Sequence, residues 1–145
     1  MEPNAPSLAA RRTELVATLE AIRDPQARLG WVVEQARSRP RLPPERLREE
    51  DLVPGCRVRI WWRARFENGR CRFEADSDAV TLKAMAGLIA DLCDGASQAE
   101  VAQADFDFLE RLGLLRQLAE SRQATVLRIV ELARGFGLQN SGRSP

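Results

Sequence analysis

The dipeptide Asn68-Gly69 does more than any other part of this chain to fix a piece of three-dimensional structure. Both central residues of a type I′ turn need φ > 0, which glycine adopts freely and asparagine tolerates. Asn-Gly between two alternating segments therefore predicts a two-residue β-hairpin. That loop sets Phe66 opposite Cys71, Ala64 opposite Phe73 and Trp62 opposite Ala75, and all three pairs share one apolar face. The other face sets Arg63 against Glu74 and Trp61 against Asp76. Alternation and register agree, as a half-buried antiparallel ribbon requires. The first strand is expected over residues 57–66.

The segments around the hairpin read as helices. Ser7 can cap a first helix running to about Ile22, with Leu8, Leu15, Leu19 and Ile22 on one face. Asp24 as N-cap and Pro25 at the first helical position open a second. Leu29, Val32, Val33 and Ala36 form its apolar stripe, with Trp31 alongside. Pro40, Pro43 and Pro44 stop it, so residues 39–50 read as an extended link with one helical turn, wrapping the domain rather than dividing it. Beyond the hairpin, Asp76-Ser77-Asp78 offers capping groups and negative charge to a helix start. Val80, Ala84, Met85, Leu88, Ile89 and Leu92 form that helix's buried stripe, and Gly95 ends it. Ser97-Gln98-Ala99-Glu100 is a capping box. Phe106, Phe108, Leu109 and Leu112 make a short amphipathic turn closed by Gly113. A last helix is expected from about Ser121 to Arg134, with Val126, Ile129, Val130 and Ala133 inward. The expected architecture is α+β, a small antiparallel sheet packed by several helices. One domain covers residues 1–145, with its core at 7–135 and flexible ends in the first few residues and at 136–145.

Composition matters here mainly for what it removes. The chain has no histidine, so Cys–His and Ser–His nucleophilic pairs are excluded within it. Three scattered cysteines cannot supply an ordinary four-ligand zinc site. No phosphate-binding glycine motif is present. Net charge is +1 and Lys83 is the only lysine, so no global field points to nucleic acid or a membrane. No stretch reaches the roughly 18 apolar residues of a membrane span. Neither a signal-like N-terminus nor a paired-cysteine scaffold is visible, and the expectation is a cytoplasmic protein.

What remains is a thiol. Cys56 follows Val53-Pro54-Gly55, where proline and glycine mark a loop, and the expectation is a thiol presented rather than packed. Cys71 and Cys93 read as core residues, small hydrophobes inside elements. A Cys56–Cys71 disulfide is not expected, because the register separates them by roughly 33 Å of strand, while bridged Cα atoms lie within about 7 Å. Arg57 and Arg59 lie near enough in sequence to favour a thiolate, and the amides around Gly55 can stabilise its charge. Trp61 is a candidate lid over the thiol.

These residues together resemble the SufE-like (SufE/CsdE) sulfur acceptors of iron–sulfur cluster assembly. The resemblance runs from about Asp24 to Ile129. It is carried by Val53-x-Gly55-Cys56 with Ile60-Trp61, then Asp76-Ser77-Asp78-Ala79, Lys83, Gly113-Leu114, Leu118 and Ser121-Arg122. It implies a SufE/IscU-like fold and places the sulfur-carrying cysteine at Cys56. A cysteine desulfurase (SufS- or CsdA-like) would donate a persulfide to Cys56, which relays it to an Fe–S scaffold complex (SufBCD-like) and stimulates the desulfurase. The resemblance implies no cofactor of the chain's own, since pyridoxal phosphate (PLP) belongs to the desulfurase, and no metal. Gly55, Arg57, Trp61, Asp76 and Arg122 are the expected loop-supporting and partner-binding residues. The chain departs from the family pattern at Arg57-Val58, where polar residues are usual. It departs again at Ala84 and at Ala124-Thr125, the place of an amide-and-glycine pair. Two other readings stand beside the carrier. One is a docking module that tunes a desulfurase without carrying sulfur. The other is nucleic-acid binding through Arg57, Arg59, Arg63 and Arg65, which nearby Glu67, Glu74, Asp76 and Asp78 oppose.

Overall fold

The structure, a computed structural model, describes residues 6–140. Its elements run α1 (Leu8–Ala21), α2 (Pro25–Arg37), β1 (Ile60–Glu67), β2 (Arg70–Ser77), α3 (Val80–Cys93), α4 (Gln98–Ala102), α5 (Phe108–Arg111) and α6 (Glu120–Asn140). The fold is α+β, with β1 and β2 as an antiparallel pair packed by helices.

Turn chemistry settles the hairpin. Asn68 and Gly69 adopt φ of 53° and 77°, and the ladder pairs Phe66 with Cys71, Ala64 with Phe73, Trp62 with Ala75 and Trp61 with Asp76. On the core face Trp62 lies 5.4 Å from Phe73, centroid to centroid. The strand is shorter than expected: β1 starts at Ile60, opposite Ser77, and residues 57–59 bend away. The reason lies in β2, which has no further residues to pair with before the chain turns into α3. The last ties are the amide of Asp78 and the hydroxyl of Ser77, both donating to the carbonyl of Arg59 at 3.2 and 2.8 Å.

That junction also overturns the expected cap. The N-cap of α3 is Ala79, with no side-chain cap bond, while the hydroxyl of Ser77 accepts from the Ala79 amide at 3.2 Å. Asp76 stays within the strand. Strand end and helix start lie so close in sequence that one Asp-Ser-Asp run carries both signals. Elsewhere the caps are as read: Ser7 accepts from Ala10, Asp24 from Ala27, and Ser97 and Glu100 close a reciprocal box. Glu100 also accepts from the Leu8 amide at 3.0 Å, which fastens α1 to α4.

Helix α3 is the hub. Helices α1, α2 and α6 and both strands pack against it, so residues on nearly every side are buried, from Leu82 to Cys93. Val80, expected in its buried stripe, is instead 53% exposed, because it begins the helix at the edge of the packed layer. The link between α2 and β1 carries two 3-10 turns, Pro44–Arg46 and Glu49–Asp51, rather than one helical turn. It joins the hairpin edge where Leu52 bridges Trp61.

Helix α6 continues well past the expected end, through Asn140. Ala133 is buried, and the Phe136 ring meets Phe73 edge-on with centroids 5.7 Å apart. Gly135 and Gly137 both lie inside this helix, yet they sit in different surroundings. A Cβ on Gly137 would lie 2.6 Å from the amide nitrogen of Ala102 and 2.8 Å from the carbonyl of Gln98, so glycine there lets α6 approach the backbone of α4. A Cβ on Gly135 would meet nothing within 4 Å. The flexibility expected for residues 1–5 and 141–145 lies outside the described residues.

A matched pair of substitutions separates these two glycines. Gly135→Ala should stabilise the fold by up to about 1 kcal/mol, the intrinsic helix preference for alanine. Gly137→Ala makes the same propensity gain but forces α6 off α4, and overpacking of that kind costs about 1–3 kcal/mol. Urea unfolding followed by tryptophan fluorescence should therefore give shifts of opposite sign.

Candidate functional site

The loop before β1 is held from two sides. At its start the Val53 amide donates to the Ile60 carbonyl at 2.9 Å, closing the loop onto the hairpin. From the other side Arg128 of α6 donates through Nη1 to the Pro54 carbonyl at 2.7 Å. Gly55 takes φ of +81°, a conformation that costs other residues about 1–2 kcal/mol. A Cβ at that position would also come within 3.3 Å of the Arg128 guanidinium. The exposed tip is Pro54-Gly55, and Cys56 already turns back toward the helices. The thiol is therefore half-buried and packs at the edge of the core, a correction to a fully presented thiol. Its Sγ lies 3.4 Å from Thr125 Oγ1 and 3.9 Å from the Pro54 carbonyl.

The other expected site residues divide into groups. Arg57 is exposed and makes no hydrogen bond or ion pair among the described residues. Arg59 turns away to Asp78 at 2.9 Å, its guanidinium 5.4 Å above the Trp61 ring. Trp61 is buried on the hairpin face opposite the main core, paired with Asp76 and bridged to Leu52, so its place is under the link. Among the described residues its cross-strand partner is Asp76 and the cation over its ring is Arg59, which is not the arrangement expected of a lid over the thiol. Asp76, 1% exposed, accepts from the amides of Leu42 and Ser77 at 3.1 and 2.8 Å. It faces Arg41 at 3.6 Å and Lys83 at 3.7 Å. Arg122 donates to the Thr81 hydroxyl at 2.9 Å and so ties the start of α6 to the start of α3. Gly55 and Cys56 thus share the loop, Arg122 anchors the helix that faces it, and Trp61 and Asp76 support the strand behind it.

Sequence reasoning missed the two residues that touch the loop from α6. Thr125 stood out only as a departure from a family pattern, and Arg128 not at all. They lie 69 and 74 residues along the chain from their loop partners. The available signal was their i, i+3 spacing on the helix, which puts both on one face.

The remaining thiols are shut away. Burial pushes Cys71 up to about 11, with the charge of Glu100 adding to the shift. Burial pushes Cys93 up to about 12, with Cys71 and Asp94 adding and Arg11 opposing. Among the described residues no group of three or more His, Cys, Asp or Glu side chains is placed to hold a metal ion. A pocket of about 250 Å³ opens between α1, α2 and α3, beside Leu15, Trp31, Val32 and Leu88, but no lining residue belongs to the Cys56 loop or to α6.

Two outcomes follow from this geometry. Near pH 8 a thiol shifted to 11 or 12 is ionised only to about one part in a thousand or less, so a thiol-specific reagent should label one cysteine in the folded protein. Unfolding should raise the number labelled to three, and peptide mapping should place the fast one at Cys56. Asp76→Ala leaves Lys83 without its buried partner, and loss of a buried ion-pair member costs about 3–5 kcal/mol. Thermal unfolding should show a correspondingly large drop in Tm.

Comparison with known proteins adds the last observation. A family model described as "SufE: Fe-S metabolism associated domain" matches residues 13–135. An Arabidopsis thaliana chloroplastic quinolinate synthase is 33% identical over 101 residues, covering 69% of this chain and 14% of that protein. The Arabidopsis "SufE-like protein 1, chloroplastic/mitochondrial" is 29% identical over 120 residues, 82% of this chain and 32% of that one. The chain thus spans only a minor part of these two longer relatives. An uncharacterized SufE-like protein of Rhizobium etli is 28% identical over 104 residues, 68% of this chain and 70% of that one. Among solved structures, that of a hypothetical protein from Thermus thermophilus superposes with a TM-score of 0.72, covering 90% of this chain and 96% of that one at 20% identity. It supports the fold alone.

Proposed function

The chain belongs to the SufE family of domains associated with Fe–S metabolism, and we propose that it serves there as a sulfur carrier on Cys56. In this reading a cysteine desulfurase presents a persulfide. The Cys56 thiolate attacks its outer sulfur, the donor's S–S bond breaks, and the donor leaves as a thiolate while Cys56 keeps the transferred sulfur as a persulfide. A second exchange of the same kind passes that sulfur to an acceptor in cluster assembly. No redox equivalent is consumed, because each step exchanges one S–S bond for another.

The observation that carries this reading is the contrast among the three thiols. Cys71 and Cys93 are buried and held protonated, while Cys56 alone sits partly accessible on a loop. The loop geometry suits the chemistry. Gly55 lets the backbone turn sharply enough to bring Sγ back against α6, and Arg128 fixes the Pro54 carbonyl without covering the tip. Arg57, exposed and unpaired among the described residues beside the thiol, is available to a partner surface. The strand arginines favour this reading over nucleic acid, since Arg59 and Arg65 are paired with Asp78, Glu67 and Glu74.

Intact-protein mass spectrometry tests the proposal directly. After incubation with a cysteine desulfurase, pyridoxal phosphate and cysteine, the protein should gain one sulfur atom, removable by reductant and absent in Cys56→Ala. Cys56→Ser should also lose all stimulation of the desulfurase. Stimulation that survives in Cys56→Ser, with no sulfur gained by the native protein, would replace the carrier with a non-transferring docking module.

A further inference from the structure

Resting on the reading of Cys56 as the sulfur carrier, we infer that the hydroxyl of Thr125 is a hydrogen-bond partner of the reacting sulfur that changes role with its charge. It accepts from the neutral thiol and donates to the sulfur anion. Three observations lead there. Thr125 Oγ1 lies 3.4 Å from Cys56 Sγ, within reach for a sulfur hydrogen bond. The same hydroxyl donates to the Ser121 carbonyl at 3.0 Å, so its one proton has a second place to go. Thr125 is itself buried, 9% exposed, so water does not readily substitute for it.

The proton count decides what each state can do. A hydroxyl carries one donor proton and two acceptor lone pairs. While that proton points to Ser121, only the lone pairs face Cys56, so the thiol is the donor, with Thr125 at 3.4 Å as its nearer acceptor and the Pro54 carbonyl at 3.9 Å as its longer one. Once Cys56 is ionised, or carries a persulfide on Sγ, it has no proton to give, and the contact persists only if the hydroxyl swings its proton to sulfur. The Ser121 carbonyl loses little by this. It lies four residues before Thr125 in the continuous helix α6, so it also receives the Thr125 amide in the ordinary helical ladder.

The two arrangements are not equal in strength. Hydrogen bonds to an ionised group are roughly twice as strong as neutral ones, whereas S–H is a weak donor. Thr125 therefore favours the anion. Arg128 reaches the loop from α6 and Arg57 follows Cys56 in the chain. Among the described residues no carboxylate forms a hydrogen bond or ion pair with residues 53–58.

Iodoacetamide alkylation of Cys56 in the isolated protein tests the assignment without any desulfurase. Near pH 7, where about a few per cent of an ordinary thiol is ionised, Thr125→Val should react roughly five-fold more slowly than the native protein, equivalent to about 1 kcal/mol. Thr125→Ser, which keeps the hydroxyl, should restore the rate. The deficit of Thr125→Val should vanish at a pH high enough to ionise the thiol fully. A valine that merely loosened the loop would instead make Cys56 react faster, and at every pH. That result, or an unchanged rate at pH 7, or a failure of serine to restore it, overturns the assignment. Circular dichroism confirms that each variant is folded before it is compared. Because sulfur loading from a desulfurase is scored separately on the native protein, failure there with the alkylation pattern intact rejects the carrier and leaves the Thr125 contact standing.

Discussion

A carboxylate with almost no access to water organises the outer side of this protein. Asp76 projects from β2 away from the main core, and an acidic group so placed must have its oxygens satisfied. One oxygen takes the Leu42 amide and faces Arg41, both from the link, and the other takes the Ser77 amide and faces Lys83 of α3. Lys83 donates in turn to the Arg39 carbonyl at 3.3 Å. Link, strand and central helix are thereby joined at one point. The consequence reaches the thiol: a link fastened near residue 42 crosses the hairpin edge at Leu52, and the chain enters the Cys56 loop from there.

The second half of the site arrives from α6. Arg122 ties the beginning of that helix to α3, Thr125 meets the sulfur, and Arg128 holds the loop carbonyl. These three positions recur at intervals of three, which places them along one helical face. Thr125 and Arg128 on that face meet the loop, while the buried face of α6 packs on the core through Val126, Ile129, Val130 and Ala133. The length of α6 matters as well. Its last turns pack on α4 at Gly137 and on Phe73 through Phe136, so the helix facing the thiol is gripped along most of its extent.

How much of this was legible depended on how local the cause was. The hairpin register follows from two residues with positive φ and from strict alternation, and every expected pair forms. Ser7, Asp24 and the Ser97–Glu100 box are local hydrogen bonds and are equally readable. Asp76 was ambiguous because acidic and hydroxyl residues mark helix starts, while its real partners lie in the link and in α3. The last helix was expected to end near Arg134 because the partner of its final turns, the backbone of α4 beside Gly137, is invisible in a local pattern. The site divided in the same way. Pro54-Gly55 announced the loop around Cys56, whereas Thr125 and Arg128 are near it only because the whole fold closes.

The seclusion of Cys71 and Cys93 has a consequence for damage. Oxidation of an accessible thiol to the sulfenic acid is commonly made reversible by a second, resolving cysteine that condenses with it. Here the other two thiols are buried and held protonated, so neither can act as that nucleophile without the fold opening. An oxidised Cys56 must therefore be rescued from outside, by a small thiol or another protein, and a disulfide formed in the folded state joins two molecules rather than two parts of one.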